Sequence, residues 1–447
     1  MIAPNWNQLT PDERFEARMA AWMAEEISFV SPQVAETHRR RAQRLKDAIT
    51  LKKPDRVPIR ASIANYLAEF AGMTAYDLMY DSGKYREARI RFHEEFDPDY
   101  LVYAGAASPG RVFDILDYKL YRWAGHGIPK ESPLQALELE LMGPDDYDRL
   151  IADPESYCLR SWMPKAFGVL EGLQLLPSFF TTMEFPGVPG FATPVGTPDV
   201  QKALKALLEA GTAALEWAGA VGQADAHIVS TFGAPAVREG FSKAPFDIIG
   251  DTFRGTRALS LDLFRRPAKV IEAMERIVPI AVDLGVRSAN ARRSPLVFMP
   301  LHKGADGFIS SKDFEKFYWP TLKAVILGLI NEGLVPSLFA EGGYNQRLDV
   351  IVDPDIPAGR TCWLFDRTDM VKVKERLGGW ACFAGNVPGA MMNIGTPEEV
   401  SDCVKKLLDT VAGDGGYILS LGASIDRAKA ENVHAMFNTC REYGVYR

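Results

Sequence analysis

The amino-acid sequence predicts an α/β protein built as a single TIM-type (β/α)8 barrel with a helical extension at its N-terminus. Three observations support this fold class. Short apolar runs alternate with longer helical patterns, five such strand–helix units follow one another without a break in the C-terminal half, and no glycine-rich dinucleotide fingerprint follows any run. The first two observations favour a closed parallel barrel over a doubly wound sheet, and the third argues against a dinucleotide-binding domain.

The N-terminal extension, residues 1–53, is predicted to form two helices. Thr10-Pro11-Asp12-Glu13 is typical of a helix start, because an N-cap residue is followed by proline and two acidic residues. A second helix is predicted to begin at Ser31-Pro32 and to continue to Leu51. The amphipathic pattern suits packing either on the barrel or on a second copy of the chain, so the sequence also allows a homodimer.

Residues 54–447 are predicted to form the barrel. The clearest strand is PLVFMPLH, which is almost entirely apolar, as expected for a parallel strand buried on both faces. In chain order the predicted strands are VPIRASI, DYLVYAG around Tyr103, AHIVSTF (Ala226 to Phe232), PLVFMPLH, LVPSLFAEGG, TCWLFD, WACFAGN and GYILSLGAS.

An irregular insertion from about Ala106 to Pro198 interrupts this rhythm. It is rich in glycine, proline and aromatic residues, most clearly in LLPSFFTTMEFPGVPGFATPVGTPD. Such a long, apolar, turn-rich segment is typical of a cover over an active site, and an ordinary packed insertion is the alternative.

Composition limits the classes of function. Hydrophobic residues make up 47% of the chain, and charged residues 24% with a net charge of -7, so the basic surface of a nucleic-acid-binding protein is missing. No apolar run reaches the roughly 18 residues that a membrane span needs, and the polar N-terminus lacks the apolar segment of a signal peptide. Five scattered cysteines do not make a disulfide scaffold. These features predict a cytoplasmic protein that binds neither nucleic acid nor membrane.

Four residues that are able to carry chemistry lie at or near the predicted strand ends. His302 ends PLVFMPLH, Glu341 ends VPSLFAE, Asp366 ends TCWLFD, and Cys382 lies within WACFAGN. The catalytic groups of α/β barrels lie at the C-terminal ends of the strands, so these side chains are candidates for one site.

Three of these residues are competent zinc ligands. His302, Glu341 and Cys382 would occupy three tetrahedral positions and leave the fourth open for water or substrate. The alternatives are a hydrogen-bonded structural histidine and a cysteine of the core, whereas a buried Glu341 needs a partner or a metal. Asp366 either orients a ligand or substrate hydroxyl, or caps a helix that begins near Thr368.

Several segments from about Leu51 to the C-terminus follow patterns of a known superfamily. They are PDRVPI, APFDIIGDTFRG, SKDFEKFYWPTLK, GNVPGAMMNIGTPEEV and GYILSLGASIDRAKAENV. These segments resemble the uroporphyrinogen decarboxylase superfamily, and the resemblance implies a (β/α)8 barrel. It also implies one of two chemistries, which are cofactor-free decarboxylation of uroporphyrinogen and zinc-dependent methyl transfer involving a corrinoid protein.

Two departures from the superfamily patterns direct the choice between these chemistries. The Arg-rich N-terminal signature of the decarboxylases is missing, and the long charged extension before PDRVP is similar to the methyltransferases that demethylate aryl ethers. The His-x-Cys zinc pair of the thiol-directed methyltransferases would fall on Phe339 and Glu341, and their C-terminal Cys on Ala423. Glu341 thus keeps a ligand position, and His302 and Cys382 would complete the site. A carboxylate and a histidine leave zinc a stronger Lewis acid, which suits an ether oxygen.

The resemblance, with these departures, therefore implies a zinc-dependent O-demethylase methyltransferase. It would move a methyl group from a methoxylated aromatic to the Co(I) corrinoid (cobalamin) of a partner protein, because this chain carries no evident cobalamin-binding motif. Glu341 and Asp366 are the predicted catalytic residues. Phe179, Phe180 and Phe185 of the insertion are predicted either to wall the aromatic ring or to be ordinary core. A metal-free decarboxylase or lyase that uses Asp366 and His302, and a non-catalytic ligand-binding barrel, are the alternatives.

Overall fold

Seven parallel strands form the central sheet of the computed structural model, which describes residues 5–24, 26–103 and 108–446. Their order across the sheet is β1-β10-β9-β8-β7-β6-β5, so five consecutive strands of the C-terminal half lie side by side in chain order. The strands are β1 (Ile59–Arg60), β5 (Gly240–Phe241), β6 (Leu296–Leu301), β7 (Val335–Ala340), β8 (Cys362–Phe365), β9 (Cys382–Val387) and β10 (Tyr417–Leu421). The predicted parallel sheet of apolar strands is confirmed.

The sheet curls until its two edge strands approach each other. Arg60 at the end of β1 forms an ion pair with Glu239, next to β5, at 3.2 Å. The segment around Tyr103, predicted as a strand, lies between these edges, because the N–H of Ile59 donates to Asp99 at 2.8 Å and the N–H of Leu101 donates to the Pro235 carbonyl at 3.0 Å. Its described residues make no strand ladder, and residues 104–107 lie outside the described part of the chain. The eight-stranded prediction is therefore confirmed only in part.

The predicted strand AHIVSTF is wrong. Its residues form the C-terminal end of a 35-residue helix, Pro198–Phe232, which Gly233 ends with a φ of 64°. The buried residues near this end are Ala224, Asp225, Ile228 and Val229, a spacing that matches one face of a helix and not the alternation of a strand.

Two N-terminal helices close one end of the curled sheet. Pro11–Met23 begins with a capping box between Thr10 and Glu13, and Pro32–Ile49 begins with a Ser31 cap. Their apolar faces pack against the first residues of the central strands in one cluster, which contains Phe15, Met19, Trp22, Ala42, Leu45, Ala48, Ile49, Leu296, Val335, Cys362 and Cys382. The extension therefore packs on the barrel, at the N-terminal ends of its strands.

Shorter helices connect the strands and cover the outer face of the sheet. Between β1 and the insertion they are Tyr66–Ala71, Ala75–Tyr80 and Ser82–Phe96. After β5 they are Pro245–Asp247, Ile248–Phe253 (a π-helical turn), Thr256–Arg265 and Pro267–Arg292. After β6 to β10 they are Ser311–Asp313, Phe314–Tyr318, Trp319–Asn331, Leu348–Ile351, Met370–Leu377, Gly389–Ile394, Pro397–Leu407, Leu408–Ala412 and Ala430–Tyr443.

The described part of the insertion, residues 108–197, folds into short helices and a small sheet. The sheet has the order β3-β2-β4, with β2 (Tyr121–Ala124), β3 (Gly127–Ile128) and β4 (Gln135–Ala136). Its helical segments are Gly110–Leu116, Pro144–Asp146, Tyr147–Ala152, Pro154–Tyr157, Cys158–Trp162, Met163–Ala166, Gly168–Leu175, Phe179–Thr182 and Gly187–Val195.

None of the helices in the described ranges combines the length and the apolar character needed to cross a bilayer.

Candidate functional site

Three polar residues meet at the C-terminal edge of the sheet. The last residues of β6, β7 and β8 are register partners, and the residues that follow them directly are His302, Glu341 and Asp366. Neighbouring strands lie about 4.8 Å apart, so these three positions are adjacent. The structure thus brings together three of the four strand-end candidates.

The apolar interior of the sheet ends at this polar edge. Alternate residues of a strand face the same side, and Cys362 and Leu364 of β8 belong to the interior cluster. Asp366 continues that alternation one step beyond the strand, and the same step leads from Phe339 to Glu341 in β7. The interior face therefore changes from apolar to charged within two residues.

The imidazole of His302 lies between two carboxylates. Its Nδ1 is 2.7 Å from Oδ2 of Asp251, and its Nε2 is 3.6 Å from Oε2 of Glu341. Because Asp251 accepts at Nδ1, that nitrogen carries a proton and Nε2 faces Glu341. The His302 side chain is 37% exposed, so Nε2 is open to a ligand at the edge of the sheet.

Asp251 is surrounded by cationic groups. Besides His302, it contacts Nζ of Lys243 at 2.5 Å and Nζ of Lys303 at 2.9 Å. Burial alone would raise the pKa of Asp251, but the hydrogen bond to His302 and the two ammonium groups lower it well below its usual range. Asp251 is therefore a carboxylate at neutral pH.

The charge of Asp251 acts in turn on His302. Burial lowers the pKa of the imidazole, but the hydrogen bond to Asp251 and the charge of that carboxylate outweigh burial and raise the pKa above its ordinary value. The site therefore favours an imidazolium, which is able to donate a proton from Nε2.

A second buried carboxylate fixes the turn that carries His302. Asp247 accepts hydrogen bonds from the main-chain N–H of His302 at 3.1 Å, from the N–H of Lys303 at 3.0 Å and from the hydroxyl of Tyr318 at 2.7 Å. Burial raises the pKa of Tyr318 well above its ordinary value, so its hydroxyl remains a donor. Asp247 thereby positions the imidazole through its backbone.

Asp366 fixes the turn that carries Glu341. Its Oδ2 accepts a hydrogen bond from the N–H of Gly342 at 3.0 Å and lies 3.4 Å from Nε of Arg367. The alternative role as a helix cap is wrong, because the next helix is capped by Asp369, whose side chain accepts from the N–H of Val371.

Cys382 does not lie with the other predicted zinc ligands. It is the first residue of β9, is fully buried, and pairs through Cys362 with Ser337. Ser337 precedes Glu341 by four residues, which is about 13 Å along a strand at 3.3 Å per residue. The sequence pattern identified the strand correctly, but it did not account for the position of Cys382 at the strand's start.

The predicted zinc ligands therefore do not form a three-ligand site. His302 and Glu341 are close enough to share a cation, and Asp251 would orient the imidazole through its hydrogen bond at Nδ1. Among the residues described by the structure, however, no group of three His, Cys, Asp or Glu side chains is placed to hold a metal ion. A catalytic zinc normally has three protein ligands, so we assign no chemical step to zinc.

The three phenylalanines predicted to wall the substrate lie on the surface. Phe179, Phe180 and Phe185 are 63%, 73% and 91% exposed. Phe179 packs against Phe191 with ring centroids 5.6 Å apart, and the helix that contains Phe191 contacts the long helix Pro198–Phe232. These rings therefore neither wall the site nor belong to the core.

Other parts of the insertion reach the rim of the site. Nζ of Lys303 lies 3.8 Å from Oε1 of Glu138, and Nε1 of Trp162 donates to the Thr252 carbonyl at 2.8 Å, next to Asp251. The insertion thus borders the site through Glu138 and Trp162, while its apolar segment around Phe179 to Phe185 lies elsewhere.

Sequence reasoning missed Lys243, Asp247 and Asp251. The three residues are spaced by four within SKAPFDIIGD, a spacing that places side chains on one face of a helix. This spacing, directly after a short strand, was the signal available in the sequence.

An interior cavity of about 250 Å³ lies below the polar edge. Trp22, Phe298 and Cys362 are among its apolar lining residues, and the Arg60–Glu239 ion pair also lines it. His302 and Glu341 are not part of its lining, so the cavity and the charged edge are separate features of the barrel.

The fold and site together define an α/β barrel with an acid–base group at its C-terminal edge. The model of the uroporphyrinogen decarboxylase (URO-D) family matches residues 191–443, more than half of the chain, and the chain belongs to that family. A solved structure, a methyltransferase from Methanosarcina mazei, is similar with a TM-score of 0.56 and 12% sequence identity, over 90% of this chain and 98% of that chain. At this identity the likeness shows the fold. No curated protein matches the sequence.

Proposed function

We propose that this chain is a methyltransferase that removes the methyl group of a methoxylated aromatic and passes it to the Co(I) corrinoid of a partner protein. Membership of the URO-D family and the fold shared with a methyltransferase support the class of reaction. The observation that carries the proposal is the His302 imidazole, which is held by Asp251 and has a raised pKa and an accessible Nε2.

The chemistry of an aryl methyl ether requires such a group. Phenolate is a poor leaving group, and its departure is eased when the oxygen receives a proton. In the proposed step the O–CH3 bond breaks and its electron pair stays on oxygen, while His302 donates the Nε2 proton to that oxygen. The products are the phenol and the methylated corrinoid of the partner. General acid catalysis of this kind contributes roughly 10²–10⁴-fold to a rate.

The surrounding carboxylates have separate roles in this proposal. Asp251 holds the imidazolium in its acidic form and in one orientation, while Glu341, 3.6 Å from Nε2, lies where it is able to contact the substrate. After turnover His302 takes up a proton from solvent. Asp366 positions Glu341 through the N–H of Gly342.

The ion pairs of the site are compatible with a neutral substrate. Both Lys243 and Lys303 are already paired with Asp251, and a neutral ether is able to bind without breaking these pairs.

The proposal is tested by mixing the purified protein with a reduced corrinoid protein from the same source and a panel of methoxylated aromatics. We expect the phenol and the methylated corrinoid to appear in equal amounts, and to need both proteins. Release of carbon dioxide from a carboxylated substrate, without methylated corrinoid, would identify a decarboxylase instead.

A chelator and a metal-replacement series extend the same assay to zinc. Activity that survives chelation agrees with the His302 acid described above. Activity that is lost on chelation and restored by Zn²⁺ would instead assign the electrophile to a zinc ion bound at His302 and Glu341.

A further inference from the structure

Two buried cysteines face each other across neighbouring strands. Cys362 and Cys382 begin β8 and β9, are register partners, and have their Sγ atoms 3.7 Å apart. They are 3% and 0% exposed. The pair lies at the opposite end of the strands from His302 and takes no part in the site described above.

The backbone at this pair suits a disulfide bond. Neighbouring strands are about 4.8 Å apart, which lies within the roughly 4.4–6.8 Å that separates the Cα atoms of bonded cysteines. The two sulfur atoms need to approach by less than about 2 Å to reach bonding distance. Side-chain rotation supplies most of this movement, so the sheet need not open.

The cavity gives a small reagent a route to the pair. Cys362 lines the cavity together with Arg60 and Glu239, whose side chains keep 19% and 17% of their surface exposed. Cys382 is not among the residues that line the cavity, so Cys362 is the cysteine that meets a reagent first.

We propose that Cys362 and Cys382 form a redox-active dithiol that a peroxide oxidises to an intramolecular disulfide. Cys362 sulfur attacks one peroxide oxygen, the O–O bond breaks, and a sulfenic acid and one water form. Cys382 sulfur then displaces the hydroxyl group from Cys362, which leaves as a second water with the thiol proton. The two thiols lose two electrons and two protons, and hydrogen peroxide is reduced to two waters.

The test is peptide mapping of the folded wild-type protein after treatment with equimolar hydrogen peroxide. Remaining thiols are alkylated on denaturation, and trypsin separates the two cysteines because Arg367 and Lys374 lie between them. We expect the Cys362–Cys382 cross-link to form first, while Cys158, Cys403 and Cys440 remain alkylated. Oxidation of Cys158 or Cys403 before this pair, or a cross-link that forms only in the unfolded chain, would overturn the proposal.

Two variants test the proposed order of the steps and show whether the oxidation is specific to this pair of cysteines. Cys382→Ala should stop at the sulfenic acid of Cys362, which dimedone traps, whereas the control Cys403→Ser should form the cross-link as the wild type does. A Cys382→Ala protein that is folded by circular dichroism but gives no dimedone adduct at Cys362 would contradict the proposed first step.

Discussion

The two ends of the central strands differ in almost every property. At the C-terminal end His302 and Glu341 are 37% and 51% exposed, carry charge, and contact partners from several loops. At the N-terminal end Cys362 and Cys382 are buried beneath the N-terminal helices. The comparison indicates that the two ends of the barrel have different roles. Substitutions at the charged end should alter catalysis, and substitutions at the closed end should alter stability.

The largest effect on activity should follow from His302→Gln. We expect kcat of the demethylation assay to fall by roughly 10²–10⁴-fold, because the leaving oxygen loses its proton donor. The free energy of unfolding should change little. His434→Gln is a matched control, since His434 is also 37% exposed and is paired with Glu95 at 2.7 Å, away from the site. Equal losses in both variants would show that the effect is not specific to the position of His302.

The largest effect on stability should follow from Trp22→Ala at the closed end. Trp22 is 7% exposed, and its Nε1 donates to the Ala236 carbonyl at 3.0 Å. We expect the free energy of unfolding, measured by urea denaturation, to fall by about 3–5 kcal/mol. Phe185→Ala, at a residue that is 91% exposed, should change it by less than about 0.5 kcal/mol. The catalytic rate per folded molecule should be unchanged in both variants. A loss of rate in Trp22→Ala would show that residues at the N-terminal ends of the strands also contribute to the site.

A smaller and more specific effect is expected from Asp251→Asn. Removing the carboxylate takes away the two largest effects that oppose burial and leaves the charge of Asp247 as the remaining one, so the pKa of His302 should fall. The acid form is present below that pKa and is lost as pH rises through it, so the alkaline limb of the kcat profile should move to lower pH. The raised pKa also stabilises the fold below the ordinary histidine pKa of about 6.5, and this contribution disappears as pH rises through the folded-state value.

Two measurements check the Asp251→Asn prediction. NMR titration of His302 reports its pKa directly, and urea denaturation at low and high pH reports the stability term. An alkaline limb that stays in place while the NMR pKa falls would show that another group is the acid.

The smallest effect is expected at Asp366. Asp366→Ala removes one acceptor for the Gly342 N–H, which is worth about 1 kcal/mol, so kcat/KM should fall by less than about tenfold. Asp366→Asn retains an acceptor oxygen and should behave almost as the wild type. A loss in Asp366→Asn as large as that in His302→Gln would make Asp366 a catalytic residue after all.

Much of the fold could be predicted because the long strands are nearly uniform apolar runs. PLVFMPLH and its four successors have this pattern, and the structure contains a strand in each. AHIVSTF was wrongly predicted as a strand because Ile228 and Val229 are β-branched. In the structure these two residues are buried together with Ala224 and Asp225, and this spacing is that of one face of a helix. Tertiary packing here overrides local β propensity. The two-residue strand β5 is too short to leave a periodic signal.

The site could be predicted where it follows long strands and was missed where it follows a short one. His302 and Glu341 stand directly after clear apolar runs. Asp251 lies on a π-helical turn after β5, so no pattern connected it to His302. Cys382 was wrongly grouped with His302 because a short apolar run does not reveal at which end of its strand a residue lies.

The N-terminal helices have a consequence for how the chain folds. Their apolar faces pack on residues as distant in sequence as Ile418, and the indole of Trp6 donates to Glu332. These helices are synthesised before β10, so their packing surface is incomplete until residue 418 has been made, and contacts between such distant residues slow folding. During synthesis the apolar faces of Pro11–Met23 and Pro32–Ile49 stay uncovered, so a nascent chain halted before residue 418 should be a substrate for chaperones.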